Sequence, residues 1–98
     1  MIQLKGEGSY KAPKGLIRVK IVVLRKKISE LTISGDFFMY PEDSLWKLEK
    51  ALQGLPADME VVRVQLQNFY NENGVISPGI RPEDFTEAIH RAILTPLP

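Results

Sequence analysis

The sequence predicts an α+β fold: a three-stranded antiparallel meander followed by three helices packed on one of its faces. Three observations carry that prediction. Apolar residues alternate with polar ones in the first third of the chain, the pattern of a half-buried sheet. In the remainder they recur three and four residues apart between helix start and stop signals. The chain has 98 residues, so it can form one small core and is read as a single domain over residues 1–98. Strands grouped before helices favour helices segregated to one side of an antiparallel sheet.

The first strand is expected over Gln3–Lys11. Its mixed polarity and its two glycines, Gly6 and Gly8, suggest a weak or bulged edge strand. Ala12-Pro13-Lys14-Gly15 has proline at the second turn position and glycine at the fourth, which suits a type I turn. Leu16–Leu24 is the strongest strand, with Ile17, Val19, Ile21 and Val23 on one face and Arg18 and Lys20 on the other. Arg25-Lys26-Lys27 should be a hairpin tip, although it lacks the Asn-Gly or Asp-Gly of the commonest two-residue turns. Ile28–Ser34 completes the meander, with Leu31 and Ile33 inward and Glu30, Thr32 and Ser34 outward.

Pro41 is expected as the first residue of a helix, followed by Glu42 and Asp43 at the positive end of its dipole. Leu45, Leu48 and Leu52 give its apolar stripe and Gly54 its end. Asp58 can cap a second helix carrying Met59, Val62, Leu66 and Phe69, which Gly74 ends. The segment 75–81 contains Pro78 and Gly79 and reads as a loop. Pro82-Glu83-Asp84 starts a third helix whose buried stripe is Phe85, Ala88, Ile89, Ala92 and Ile93.

Composition removes several kinds of chemistry. The chain has no cysteine, which excludes a thiol nucleophile, a sulfur carrier and cysteine-based metal sites. Its single histidine, His90, lacks the partners that a catalytic or metal-binding imidazole needs and is read as an ordinary helical residue. Gly6-Glu7-Gly8 opens no helix and lacks a third glycine, so it is no phosphate loop. Trp46 and Tyr10 read as packing residues. The absence of a long apolar run and of an export signal leads us to expect a cytoplasmic protein without a membrane role. Met1 and the ending Pro96-Leu97-Pro98 favour a complete product.

Charge is unevenly spread. Residues 1–29 hold eight basic residues against one acidic residue, a formal charge of +7, and the rest hold five against eleven, or −6. Such a split suits an acidic partner or equally a solvated strand face. A nucleic-acid or protein-interaction module using the basic hairpin is therefore the alternative reading. No aromatic residue accompanies Arg18 and Lys20 on their strand face, and the sequence pI is about 8.0, which weighs against a nucleic-acid role.

The most informative segment is Ser34-Gly35-Asp36-Phe37-Phe38-Met39-Tyr40-Pro41-Glu42. Four large apolar residues in a row cannot all point into one core from a short connection: the segment reads either as the core junction between strand and helix or as an anchor with some residues exposed for a partner. Here the chain resembles the C-terminal accessory domain of lipoate–protein ligases, in the form that some archaea make as a separate small subunit. The resemblance runs from Ser9-Tyr10-Lys11-Ala12-Pro13 through Leu16-Ile17-Arg18-Val19 and Gly35-Asp36-Phe37-Phe38 to Pro41-Glu42. It continues through Leu52-Gln53-Gly54 and Glu72-Asn73-Gly74 to Gly79-Ile80-Arg81-Pro82-Glu83-Asp84-Phe85. The turn departs from the family's Pro-Gly-Gly-Lys, reading Pro13-Lys14-Gly15 here.

The resemblance implies a fold like that of the SufE and NifU proteins. It implies a non-catalytic subunit that binds a large catalytic subunit and enables ATP-dependent activation of lipoate to lipoyl-AMP for protein lipoylation. ATP, magnesium and lipoate would then be bound by the large subunit and no cofactor by this chain, and the lipoyl acceptor protein would be met only indirectly. The expected partner interface comprises Gly35, Asp36, Phe37, Phe38 and Tyr40, with Lys14, Arg18 and Lys20 as basic contacts. Phe37 and Phe38 are the expected apolar anchors.

Overall fold

The computed structural model describes residues 3–98. The chain runs β1 (Gln3–Ala12), β2 (Gly15–Leu24), β3 (Lys27–Asp36), α1 (Ser44–Leu52), α2 (Met59–Asn73) and α3 (Pro82–Ile93). The strands form one antiparallel sheet in the order β1-β2-β3. α1 lies along β3, α3 lies across β1 and β2, and α2 packs against both of these helices. The predicted α+β architecture is the observed one.

β2 occupies the centre because its alternation is the cleanest. Ile17, Val19 and Ile21 are buried, while Arg18 and Lys20 are exposed on the opposite face. The core between sheet and helices is completed by Leu48 and Leu52 of α1, Val62, Leu66 and Phe69 of α2, and Phe85, Ala88, Ile89 and Ala92 of α3. Asp58 caps α2 by accepting from the Glu60 N–H at 2.9 Å, and Gly74 ends it in the left-handed conformation at φ 58°. Pro82 opens α3, and the Asp84 carboxylate reaches back to the Arg81 N–H at 2.7 Å.

Three expectations are corrected. β1 carries no bulge: all ten of its residues pair with β2 from Gln3↔Leu24 to Ala12↔Gly15. Its glycines instead seat α3. A Cβ on Gly6 would fall on the Ala92 carbonyl oxygen, and one on Gly8 would come within 2.6 Å of the Ala92 nitrogen. The irregularity lies in β3, where Val22 pairs with Glu30 but Val23 pairs with Ile28. Ser29 is thus the extra residue of a bulge, which lets Ile28 and Leu31 both face the core despite their odd spacing.

α1 begins at Ser44 rather than Pro41. Tyr40 is held in an isolated bridge to Ile76, so the chain stays extended to that point. It then turns through Pro41–Asp43, with the Ser44 N–H donating to the Pro41 carbonyl at 2.9 Å. The Tyr40–Pro41 peptide is cis. Trp46 is not a packing residue; it is 60% exposed on α1, with the Lys50 ammonium 5.8 Å from its ring centre.

Both sheet edges are partly covered. Along β1 the C-terminal tail adds a short antiparallel stretch, the Leu97 N–H donating to the Lys5 carbonyl at 2.7 Å and the Glu7 N–H to the Thr95 carbonyl at 3.3 Å. Along β3 the Ile33 N–H donates to the Glu49 carboxylate at 2.7 Å. No helix among the described residues is long and apolar enough to cross a membrane.

Candidate functional site

One end of the sheet gathers three segments that are distant in sequence: the turn at Pro13-Lys14, the connection 35–40 and the loop 75–81. Gly35 sits opposite Ile17 and Asp36 opposite Leu16, so β3 leaves the sheet beside the start of β2. Gly35 has φ 148°, and a Cβ there would strike the Leu16 carbonyl oxygen; the close approach requires glycine. Gly15 likewise makes room for Asp36 and Phe37, since a Cβ at Gly15 would lie 3.1 Å from the Phe37 Cβ.

The four large residues that follow divide by alternation. Phe37 and Met39 are half-buried, whereas Phe38 and Tyr40 are exposed. The Phe37 ring lies over Gly35 and meets Phe85 edge-on, with centroids 5.5 Å apart and planes at 82°. It therefore anchors the connection to the domain itself. Phe38 points outward and is 71% exposed.

Tyr40 is bound to the far loop. Its N–H donates to the Ile76 carbonyl at 2.8 Å, and the Ile76 N–H returns a bond to the Tyr40 carbonyl at 2.9 Å. Residues that exchange both bonds across an antiparallel pair project their side chains to the same side. Tyr40 at 51% exposure and Ile76 at 62% thus extend the apolar surface begun by Phe38. Lys14 joins this end through its stem, which packs so closely on Gly79 (φ 74°) that any Cβ at that glycine would overlap it.

The loop that carries Ile76 is held from below. The buried Ser77 hydroxyl donates to the Ile80 carbonyl and shares a hydrogen bond with the Tyr70 hydroxyl, both at 2.7 Å. Burial pushes the Tyr70 hydroxyl above its ordinary pKa, and the bond to Ser77 partly opposes that shift. At the foot of the same loop, the hydrogen bond from Arg81 to Asp84 holds the Arg81 guanidinium above its ordinary value.

Of the predicted interface residues, Gly35, Asp36, Phe37, Phe38, Tyr40 and Lys14 come together at this end. Arg18 borders it, on the same sheet face as Asp36 and diagonal to it, and Lys20 lies one step further away. Both lie on the uncovered outer face of the sheet, Arg18 between Ser9 and Ser34 and Lys20 between Glu7 and Thr32. Lys20 faces Glu7 at 4.0 Å, a solvent-exposed pair of little energetic weight. Ile76 is the residue that sequence reasoning missed. The only local sign of it is the apolar pair Val75-Ile76 directly after the Gly74 stop of the second helix. His90 is exposed on α3, and no group of three or more metal-ligating side chains occurs among the described residues. Chemically this end offers non-covalent docking: a fixed apolar patch bordered by a cation.

Comparison with known proteins places these features in a family context. Residues 5–89 match the family model described as bacterial lipoate protein ligase C-terminus. The chain is 47% identical over 81 residues to lipoate-protein ligase A subunit 2 of Thermoplasma acidophilum, covering 83% of each protein. It also superposes on a chain from a structural study of an archaeal lipoylation system, a bi-partite lipoate protein ligase and its E2 lipoyl domain from the same organism. That match has a TM-score of 0.83 and 43% identity, over 90% of this chain and 97% of the other.

Proposed function

The chain belongs to the bacterial lipoate protein ligase C-terminus family, and from that premise we propose that it is the small accessory subunit of a two-chain lipoate–protein ligase. It binds a large catalytic subunit and enables that subunit to convert lipoate and ATP to lipoyl-AMP, from which the lipoyl group passes to an acceptor protein. ATP, magnesium and lipoate are held by the large subunit, and the pair works in the cytoplasm. The observation that carries this reading is the 47% identity to a protein that is itself a separate subunit 2, with 83% of both chains aligned.

The geometry supports a docking role. Exposed Tyr40 and Ile76 are tied to each other by two backbone hydrogen bonds, and Phe38 lies between Tyr40 and the packed Phe37, so little order remains to be gained on binding. Aromatic residues held in this way are the usual carriers of interface energy. Phe37 takes part as the support beneath Phe38, and Lys14 can meet an acidic group at the rim. Arg18 and Lys20 serve only a partner that also reaches the outer sheet face.

Activation then follows from differential binding. If the small subunit binds the adenylation-competent arrangement of the large subunit more tightly than the open one, it raises the population of the former. A tenfold gain in activation requires about 1.4 kcal/mol of such preference, well within the reach of one buried aromatic anchor. The test is lipoate-dependent ATP–pyrophosphate exchange by the matching large subunit, with and without this chain. Exchange is expected only when both are present. Equal exchange without this chain, together with no complex on a sizing column, would overturn the proposal.

A further inference from the structure

The far end of the sheet carries a feature that the docking end does not explain. The β2–β3 hairpin closes through Arg25 and Lys26, both in the left-handed region at φ 53° and 66°. This is the backbone of a type I′ turn, where Asn-Gly is the unstrained choice. Two long cationic residues occupy it instead, against their conformational preference. A third, Lys27, follows as the first residue of β3.

The tip is also fixed in place. The Ala57 N–H donates to the Lys26 carbonyl at 2.9 Å, and the Ile28 N–H to the Leu55 carbonyl at 2.8 Å. The Gly54 N–H donates to the Ile28 carbonyl at 2.7 Å. All three cations are exposed, and none forms an ion pair among the described residues. Strained backbone kept at a rigid and unpaired charge cluster points to use of the charge.

We propose that Arg25, Lys26 and Lys27 form a second interaction surface, which takes an acidic patch on the protein that receives the lipoyl group. The assignment to an acceptor rests on the reading of this chain as a ligase subunit. The tip and the Lys14 turn lie at opposite ends of the ten-residue strand β2, roughly 30 Å apart at about 3.3 Å per residue. A large subunit whose contacts are confined to the Phe38, Tyr40 and Ile76 end leaves the tip open to a third component. The chemistry favours carboxylates on a protein over a nucleic acid. The tip has no adjoining aromatic residue on which a base could stack, and neither have Arg18 and Lys20 on their strand face.

The test uses the two-subunit ligase and the carrier domain that accepts the lipoyl group. The triple variant Arg25→Asn, Lys26→Gly, Lys27→Gln removes the charge while giving the turn its preferred residues, so the fold is retained. At low salt its apparent KM for the carrier domain should rise about fivefold or more with kcat unchanged. The difference from the wild type should vanish in high salt, where such contacts are screened. A charge-preserving variant, Arg25→Lys with Lys27→Arg, should retain the wild-type KM.

ATP–pyrophosphate exchange, in which the carrier takes no part, should be the same for variant and wild type. An unchanged KM would overturn the proposal, as would a fall in exchange, which would place the tip on the large subunit. Loss of binding to a fluorescent single-stranded oligonucleotide with no change in KM would overturn it in favour of nucleic acid. Absence of exchange stimulation by the wild-type chain would instead reject the ligase-subunit reading, and is distinguishable from all of these.

Discussion

Phe37 and Phe38 are neighbours in sequence with opposite environments. Phe37 is half-buried against Phe85, and Phe38 is 71% exposed. Phe37→Ala should destabilise the isolated chain by about 2–3 kcal/mol, below the full cost of a wholly buried ring. Phe38→Ala should leave stability within about 0.5 kcal/mol but weaken binding to the large subunit by about 2 kcal/mol, roughly 30-fold. Chemical denaturation of the free chain and calorimetric titration with the large subunit measure the two effects separately. Equal loss of stability in both variants would mean that Phe38 also belongs to the core. The sequence indicated that the four residues Phe37–Tyr40 could not all be internal, but not which were. That division follows from the extended alternation of the connection and from the bridge of Tyr40 to Ile76.

Among the elements, β1 shows how a local rule can yield to packing. Glycines normally weaken a strand, yet Gly6 and Gly8 lie in an unbroken ladder because α3 needs the space that side chains would fill. Gly6→Val should therefore destabilise by about 3 kcal/mol or more, since backbone on both sides must move. Gly54→Ala, with nothing within 4 Å of its Cβ position but a φ of 89°, should cost only about 1 kcal/mol. Urea midpoints of the two variants would check the order, and similar midpoints would show that α3 can shift away from β1 cheaply. The element boundaries that were legible are those set by caps: Asp58 and Gly74 for α2, and Pro82 and Asp84 for α3. The start of α1 was not legible, because it depends on Ile76, far along the chain.

Across the whole molecule, 39 Å in its longest dimension, the apolar docking end and the basic tip stand at opposite ends of the sheet. Sites this far apart with no shared partners act independently. Combining Phe38→Ala with the neutral tip variant should therefore give additive free-energy changes, within about 0.5 kcal/mol, in overall transfer to the carrier domain at limiting concentrations. A coupling of about 1 kcal/mol or more would mean that both surfaces meet one partner, or that the sheet transmits a change between them. The charge split also takes on a spatial meaning. The eight basic residues before Glu30 are not one patch: Lys14 lies at one end, Arg25, Lys26 and Lys27 at the other, and Lys5, Lys11, Arg18 and Lys20 along the exposed sheet face between them.

By itself the sequence determined whatever depends on neighbours along the chain. That includes the alternation of β2, the spacing of the helical stripes, the caps, the βββααα order and the residues that carry the family resemblance. These are short-range consequences of backbone geometry and of which side chains leave water. The tertiary structure alone decided the pairing of Tyr40 with Ile76, the seat of α3 on Gly6 and Gly8, the bulge at Ser29 and the strained turn at Arg25 and Lys26. Each depends on contacts between segments distant in sequence, whose energies become available only when the core has brought the backbones within hydrogen-bonding or van der Waals reach.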